Sequence, residues 1–182
     1  GFKMGWLYTN KPAGMSMRDF FSERFDHENG KVLDVAMVGW TEAYIAYEVT
    51  NNDGTKGVIG IACLINFCPN DPYCNFGYKA MEETMGPNIS NCPRRILEKL
   101  TPATHKWAIE WREQCWQKVR QREAKRGLLK DGDLIRFAHP ISFTNGYAGD
   151  TFRVEKKRNK VRFRPPSSFT LYRIKNWQYL DF

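Results

Sequence analysis

The chain has 182 residues, of which 42% are hydrophobic and 26% charged, with a formal net charge of +8. A chain of this length and composition can bury a core, so a folded protein is expected and a disordered one is excluded. No apolar run approaches the roughly 20 residues of a membrane-spanning helix, and no N-terminal pattern of a signal peptide is present, so we expect no membrane partner.

The charge is unevenly distributed along the chain. Residues 1–100 contain 10 Lys and Arg against 12 Asp and Glu, whereas residues 101–182 contain 18 against 8. The net charges of the two parts are therefore −2 and +10. An asymmetry of this size favours an acidic partner for the basic part. The alternative is a basic surface that only keeps the protein in solution.

The first hundred residues predict an α+β domain, beginning with a strand at Met4–Thr9. Ser16 has the side chain of an N-cap, and the helix Met17–Phe25 after it places its aromatic residues on one face. Glu42–Thr50 and Val58–Phe67 have strand composition and enclose a turn sequence, which predicts an antiparallel hairpin.

The rest of the first domain is predicted to be mostly irregular. Cys68–Ser90 is rich in Pro, Gly and Asn, and is an alternative contact surface for a partner. Pro93 fits the first position of a short helix that extends to Leu100.

A long helix over residues 101–127 is predicted to connect the two parts. Thr101-Pro102 begins it, and Gly127 is expected to follow its last turn. Apolar residues at helical spacing predict a packed first half; they are Trp107, Ala108, Trp111, Cys115, Trp116 and Val119. In the last turns of the helix, cations occupy the side on which Trp107 and Trp111 lie in the first turns. This predicts that these last turns face solvent or an acidic partner. The cations are Lys118, Arg122, Lys125 and Arg126.

Residues 128–182 predict a small β-barrel of the SH3-like kind. Five short segments have strand composition, and turn residues separate several of them. The predicted strands are Leu134–Phe137, Ile141–Thr144, Thr151–Glu155, Lys160–Arg164 and Phe169–Ile174.

The last three predicted strands alternate apolar and basic residues. Alternate residues of a strand share a face, so the apolar set should fill the barrel and the basic set should form an outer wall. The wall would consist of Arg153, Lys160, Arg162, Arg164, Arg173 and Lys175, with Lys156, Lys157 and Arg158 in the adjoining turn. The nearby aromatic residues are Tyr172, Trp177 and Tyr179. Cations neutralise phosphates and aromatic rings stack on bases, which predicts binding of DNA, RNA or an acidic protein surface.

No residue pattern predicts catalysis, a metal site or a cofactor. Asp150 with Glu155 and Lys157 has the residue types of a magnesium-dependent nuclease, but a charged strand end explains them better. The five cysteines lack C-x-x-C spacing, so reduced thiols in a cytosol are expected. The three histidines are far apart, and no phosphate-binding loop or small-molecule substrate site is evident.

Several short motifs resemble a family of small proteins found on phages, plasmids and gut-bacterial mobile elements. The motifs are Gly5–Pro12, Gly77–Lys79, Glu83–Pro87, Cys92-Pro93, Leu100–Pro102 and Gly132–Phe137. Most of that family has no assigned activity, and the chain is also similar in length and general character to an anti-CRISPR protein that inhibits the type II effector Cas9. The resemblance implies a non-enzymatic inhibitor that binds the Cas9–guide RNA complex and impedes DNA cleavage. A mobile-element DNA-binding accessory protein is the alternative.

Overall fold

The computed structural model describes residues 5–158, 160–175 and 177–182, and of residue 179 only the backbone. The protein is α+β and divides into two compact units, the first ending at Val119 and the second beginning at Arg120. This boundary lies inside the long helix, whereas the sequence predicts boundaries at residues 100 and 127. None of the described helices is both long and apolar enough to cross a membrane.

The first unit contains a five-stranded antiparallel sheet in the order β1-β5-β4-β3-β2. Its strands are β1 (Leu7–Thr9), β2 (Gly30–Val38), β3 (Glu42–Thr50), β4 (Lys56–Phe67) and β5 (Phe76–Glu82). The helices of the chain are α1 (Met17–Phe25), α2 (Arg94–Leu97) and α3 (Lys106–Leu128). The predicted helix Met17–Phe25 and its Ser16 cap are confirmed, since Ser16 Oγ accepts a hydrogen bond from the Asp19 amide at 3.0 Å.

Each face of this sheet packs against helices. Phe20 and Phe21 of α1 lie on one face, in a core with Ile45, Ile61 and Phe76. On the other face, Trp111 of α3 stacks on Tyr44 with ring centroids 6.4 Å apart. Ala108, Trp111, Cys115 and Val119 are buried, as the helical spacing predicts, and Trp116 is half-buried. Trp107 is 53% exposed, so the predicted packing of this residue is wrong.

The predicted hairpin of β3 and β4 is confirmed, but the sequence patterns miss both of its neighbours. No strand is predicted for β2, whose register shifts between Val32 and Asp34 and so interrupts the period-two alternation. Cys68–Ser90 is not wholly irregular, because it contains β5 and a 3-10 turn at Glu83–Met85.

The long helix begins later than predicted, at Lys106 rather than Thr101. Thr101 instead extends the pairing of β4: its amide donates to the Val58 carbonyl at 3.0 Å, and its Oγ1 accepts from the Val58 amide at 2.9 Å. Gly127 lies within the helix rather than after it. The short helix predicted from Pro93 to Leu100 is observed as α2, four residues long.

The second unit contains the end of α3 and a three-stranded antiparallel sheet in the order β6-β7-β8. The strands are β6 (Leu134–Ser142), β7 (Ala148–Lys157) and β8 (Lys160–Arg164). A core under one face of the sheet includes Phe137, Phe152, Val154 and Phe163. Each of these side chains is at most 2% exposed.

The SH3-like barrel is not confirmed, because the described part of the chain shows three strands in a sheet that does not close. The predicted segments Leu134–Phe137 and Ile141–Thr144 belong to one irregular strand, β6, which ends at Ser142. The predicted strand Phe169–Ile174 makes only a single bridge, between Tyr172 and Phe163. Pro165 and Pro166 cannot donate to a ladder, so the chain leaves the sheet after β8.

Candidate nucleic-acid interface

The outer face of the β6-β7-β8 sheet concentrates positive charge. Alternate residues of β7 and β8 face the core, and the intervening residues face outward, as the sequence predicts. Cross-strand register places Arg153 opposite Arg164, Glu155 opposite Arg162, and Lys157 opposite Lys160. The cations of this outer face are Arg136, Arg153, Lys157, Lys160, Arg162 and Arg164.

Carboxylates compensate only part of this charge. Glu155 lies 3.6 Å from Arg164, between Oε1 and Nε, and Asp150 lies 3.1 Å from Arg136, between Oδ2 and Nε. Among the described residues, no carboxylate forms an ion pair with the four other cations of the face, Arg153, Lys157, Lys160 and Arg162. Their excess charge is available to an anionic partner.

Arg136 is a member of this face that the sequence patterns do not identify. It pairs across the strands with Thr151, next to the Leu134–Arg153 pair, and its side chain is 78% exposed. Its segment, Leu-Ile-Arg-Phe, has the same apolar and basic alternation as β7 and β8, which is the signal that would have revealed it.

Lys156 does not belong to the basic face, contrary to the prediction. It follows Phe152 and Val154 in the alternation, so its side chain is on the opposite side of the sheet. Its ammonium group donates to the Arg126 carbonyl at 3.2 Å and the Leu129 carbonyl at 3.1 Å. These carbonyls are at the C-terminus of α3, where a cation satisfies the last helical acceptors and interacts favourably with the helix dipole.

Arg173 and Lys175 are exposed, but they are not on a strand. They flank the buried Ile174 in the segment that runs past the edge of β8. With Lys160 and Arg162 they line a groove at that edge instead of extending the outer face.

The hairpin turn between β7 and β8 presents Arg158 to solvent. Its backbone adopts a positive φ of 55°, in the left-handed region. Asn159, the other residue of this predicted turn, lies outside the described residues. Arg158 therefore extends the basic face past Lys157 and Lys160, where the sequence predicts charge.

The four cations of α3 are divided between the two units. Lys118 belongs to the first unit, and Arg122, Lys125 and Arg126 belong to the second. The ammonium group of Lys125 lies 4.8 Å from the centroid of the Phe182 ring, so it makes a cation–π interaction within the second unit. Arg126 lines the groove beside β8.

Two of the three aromatic residues predicted for base stacking, Tyr172 and Trp177, have structural roles. Tyr172 lies 4.0 Å from Phe143, between ring centroids, and accepts a hydrogen bond from Asn145 at 2.8 Å. Trp177 is 6% exposed and packs in the core. The side chain of Tyr179 lies outside the described residues. Phe169, which the strand pattern treats as part of the barrel, is instead 94% exposed.

The geometry does not favour the nuclease triad. Asp150 and Glu155 are five residues apart on β7, or roughly 17 Å along the strand, and each carboxylate pairs with a different arginine, Arg136 and Arg164. A hydrogen bond from Thr151 and the hydrogen bond and charge of Arg136 lower the pKa of Asp150 below its ordinary value. In the described ranges, no three His, Cys, Asp or Glu side chains are grouped closely enough to hold a metal ion.

The five cysteines are reduced in the structure. Cys63, Cys92 and Cys115 are buried, and Cys68 and Cys74 are half-buried. Burial raises the pKa of the Cys63 thiol well above its ordinary value, which keeps it protonated and unreactive.

The structure thus belongs to the antiparallel α+β class, and one of its sheets has a basic outer face. Residues 102–177 match the model of a domain of unknown function, DUF6927. The match covers less than half of the chain, and it contains β6, β7 and β8 with the whole basic face. The chain matches no curated protein and no solved structure.

Proposed function

We propose that the protein is a non-enzymatic binder of nucleic acid, which it contacts through the outer face of the β6-β7-β8 sheet. The observation on which this depends is the placement of six cations on one face of a small sheet, with two carboxylates, Glu155 and Asp150, paired to them. Like charges opposite each other on neighbouring strands destabilise a sheet, so folding alone does not account for the arrangement. A phosphate backbone relieves the repulsion and releases counterions on binding.

We further propose that the partner is Cas9 loaded with guide RNA, and that binding impedes DNA cleavage. The motifs shared with the mobile-element family and the similarity to an anti-CRISPR protein support this partner. In such a complex the guide and target strands are acidic and lie in a channel of the nuclease. A basic face can bind those strands without any catalytic step.

A Cas9 cleavage assay with the protein titrated in tests this proposal. The informative variant is Arg153→Glu/Lys157→Glu, because each new carboxylate lies opposite a cation, Arg164 or Lys160, and the sheet is retained. We expect wild-type protein to inhibit cleavage and this variant to lose at least about tenfold in potency. Lys31→Glu, in the first unit, is the matched control and should inhibit normally.

Binding to Cas9 with and without guide RNA identifies the surface recognised. Preference for the loaded form supports contact with nucleic acid. Equal binding to both forms shows that an acidic protein surface is recognised instead, and contradicts the proposed contact. If the affinity comes from Cys68–Ser90 and the basic face only steers association, the charge-reversal variant will keep its dissociation rate.

The second candidate function, a mobile-element DNA-binding accessory protein, is supported by the same basic face. Salt-dependent binding to DNA without any inhibition of Cas9 would favour it. Incubation with plasmid DNA and Mg²⁺ tests the nuclease alternative: cleavage that is lost in Glu155→Gln would contradict a non-enzymatic role.

A further inference from the structure

A groove of about 590 Å³ lies beside β8, along the edge that faces away from β7, in the second unit. Lys160, Val161 and Arg162 of β8 line it together with residues 173–175, 177 and 178 from the segment after β8. Arg126, near the end of α3, also lines the groove. The size is within the range of ligand pockets, about 300–1,000 Å³.

The lining of this groove is strongly basic. Five cations from three segments of the chain meet there, namely Arg126, Lys160, Arg162, Arg173 and Lys175. None of the described lining residues is acidic. Bringing five like charges around one recess costs electrostatic free energy, which a bound anion offsets. The charge therefore indicates a ligand with several negative groups close together.

The apolar residues of the groove do not provide a stacking platform. Ile174 and Trp177 are each 6% exposed, because both belong to the core of the unit. Recognition therefore depends on the charged groups of the ligand more than on its rings. A chain of phosphates meets this requirement.

The arrangement of the cations distinguishes a single strand from a duplex. Lys160 and Arg162 come from β8, Arg173 and Lys175 come from the segment after it, and all four line the groove, so a ligand that contacts all four enters the groove. A single strand is thin and flexible, and such strands bind in basic grooves that follow the backbone. A duplex is stiff, with a persistence length of about 50 nm, and reaches only the rim of a recess this small.

We propose that this groove binds consecutive phosphates of single-stranded nucleic acid and gives the protein a preference for single strands over duplex. The inference rests on the proposed function, since it assigns a strand type to the same basic unit. The open sheet face is accessible to either form. The groove adds contacts that only a single strand makes.

Two pairs of substitutions separate the groove from the sheet face. Arg173→Gln/Lys175→Gln changes the groove alone, because neither residue is on the sheet. Arg153→Gln/Lys157→Gln changes the outer face alone, because neither residue lines the groove. Lys31→Gln/Lys106→Gln removes the same charge from the first unit and is the control. All four substituted residues of the second unit have exposed or half-exposed side chains, so the variants should fold, and Tm measurement confirms it.

The experiment measures affinity of the full chain for a single-stranded oligonucleotide and for the duplex of the same length, by fluorescence anisotropy at several salt concentrations. We expect the groove variant to lose about tenfold in affinity for the single strand and less than about twofold for the duplex. Its log–log salt slope for the single strand should fall by about 1.4, since each lost phosphate contact removes about 0.7. The face variant should weaken both forms, and Arg173→Lys/Lys175→Arg should restore single-strand binding.

The outcomes separate the inference from the function on which it rests. Equal losses for single strand and duplex in the groove variant, or no loss in either, overturn the groove as a single-strand site and leave nucleic-acid binding intact. Failure of the wild-type protein to bind either form overturns the proposed function and the inference together.

Discussion

Arg153 of β7 and Arg164 of β8 lie directly opposite each other on the outer face of the sheet. Lys157 and Lys160 repeat this arrangement at the end of the same strand pair. Like charges in these positions destabilise a sheet, and neither pair contributes to the core on the other side. Replacing one cation of such a pair with a carboxylate is therefore expected to raise the stability of the protein and to lower its affinity for an anion.

The substitution Lys157→Glu tests this opposition. Replacing a repulsive pair with an attractive one should stabilise the protein by about 0.5 kcal/mol, which raises Tm by roughly 2–4 °C in a unit of this size. Affinity for DNA should fall at the same time. Thermal unfolding and DNA titration measure the two effects, and a Tm that falls or stays constant would show that the repulsion is already screened. Lys130→Glu, on an exposed residue before β6, is the control for the change in net charge.

Lys156 and its neighbour Lys157 should behave in opposite ways. Lys156→Met removes two hydrogen bonds from the end of α3 and should destabilise the protein by about 1–2 kcal/mol, with DNA affinity nearly unchanged. Lys157→Met should weaken DNA binding and leave stability almost unaffected. Denaturant unfolding combined with DNA binding checks both, and equal effects of the two substitutions on binding would place Lys156 on the interface after all.

Loss of one partner of the Arg112–Glu83 ion pair is expected to destabilise the first unit. Glu83 is 2% exposed, and its carboxylate accepts two hydrogen bonds from the guanidinium group, at 2.7 and 2.8 Å. Arg112→Met leaves that carboxylate buried without its partner and should cost about 3–5 kcal/mol in the free energy of unfolding. The double variant Glu83→Leu/Arg112→Met should recover most of the lost free energy of unfolding, because no charge is then left buried. Denaturant unfolding measures both variants. If the double variant is as unstable as Arg112→Met, the effect comes from the packing of Arg112 rather than from the ion pair.

Gly60 allows α3 to approach the sheet closely. A Cβ at this position would lie 2.7 Å from the Trp111 ring, so Gly60→Ala should destabilise the protein by about 1–3 kcal/mol. Gly57 is the matched control in the same strand, because its added Cβ would meet only Thr101 Oγ1 at 3.4 Å. Denaturant unfolding of both variants measures the difference, and equal losses would attribute the effect to β4 itself rather than to the contact with Trp111.

Local patterns in the sequence were sufficient for the elements whose stabilising contacts are close in the chain. Ser16 caps α1 three residues away, and β3 and β4 are joined by a short turn, so both were predictable. The alternation in β7 and β8 likewise predicted which side chains face the core. The segment Leu134–Phe137 of β6 has the same alternation, so the pattern that predicts the basic face in β7 and β8 also applies to Arg136.

Other features depend on contacts between distant residues, which no local pattern contains. Thr101 pairs with Val58 rather than starting α3, and a register shift conceals β2. The predicted barrel required a strand at Phe169–Ile174, but the prolines after β8 leave only one bridge there.

The sequence by itself determined the net charge of the basic part and the alternation that turns most of its cations outward, because both follow from residue type and the period of a strand. Only the tertiary structure decided what each cation does. The alternation along β7 and the position of the end of α3 direct Lys156 to backbone carbonyls. The path of the chain after β8 brings Arg173 and Lys175 into one groove with Lys160 and Arg162. These outcomes depend on where segments distant in the chain meet, and that is set by packing around Phe152, Val154 and Phe163 rather than by any local spacing.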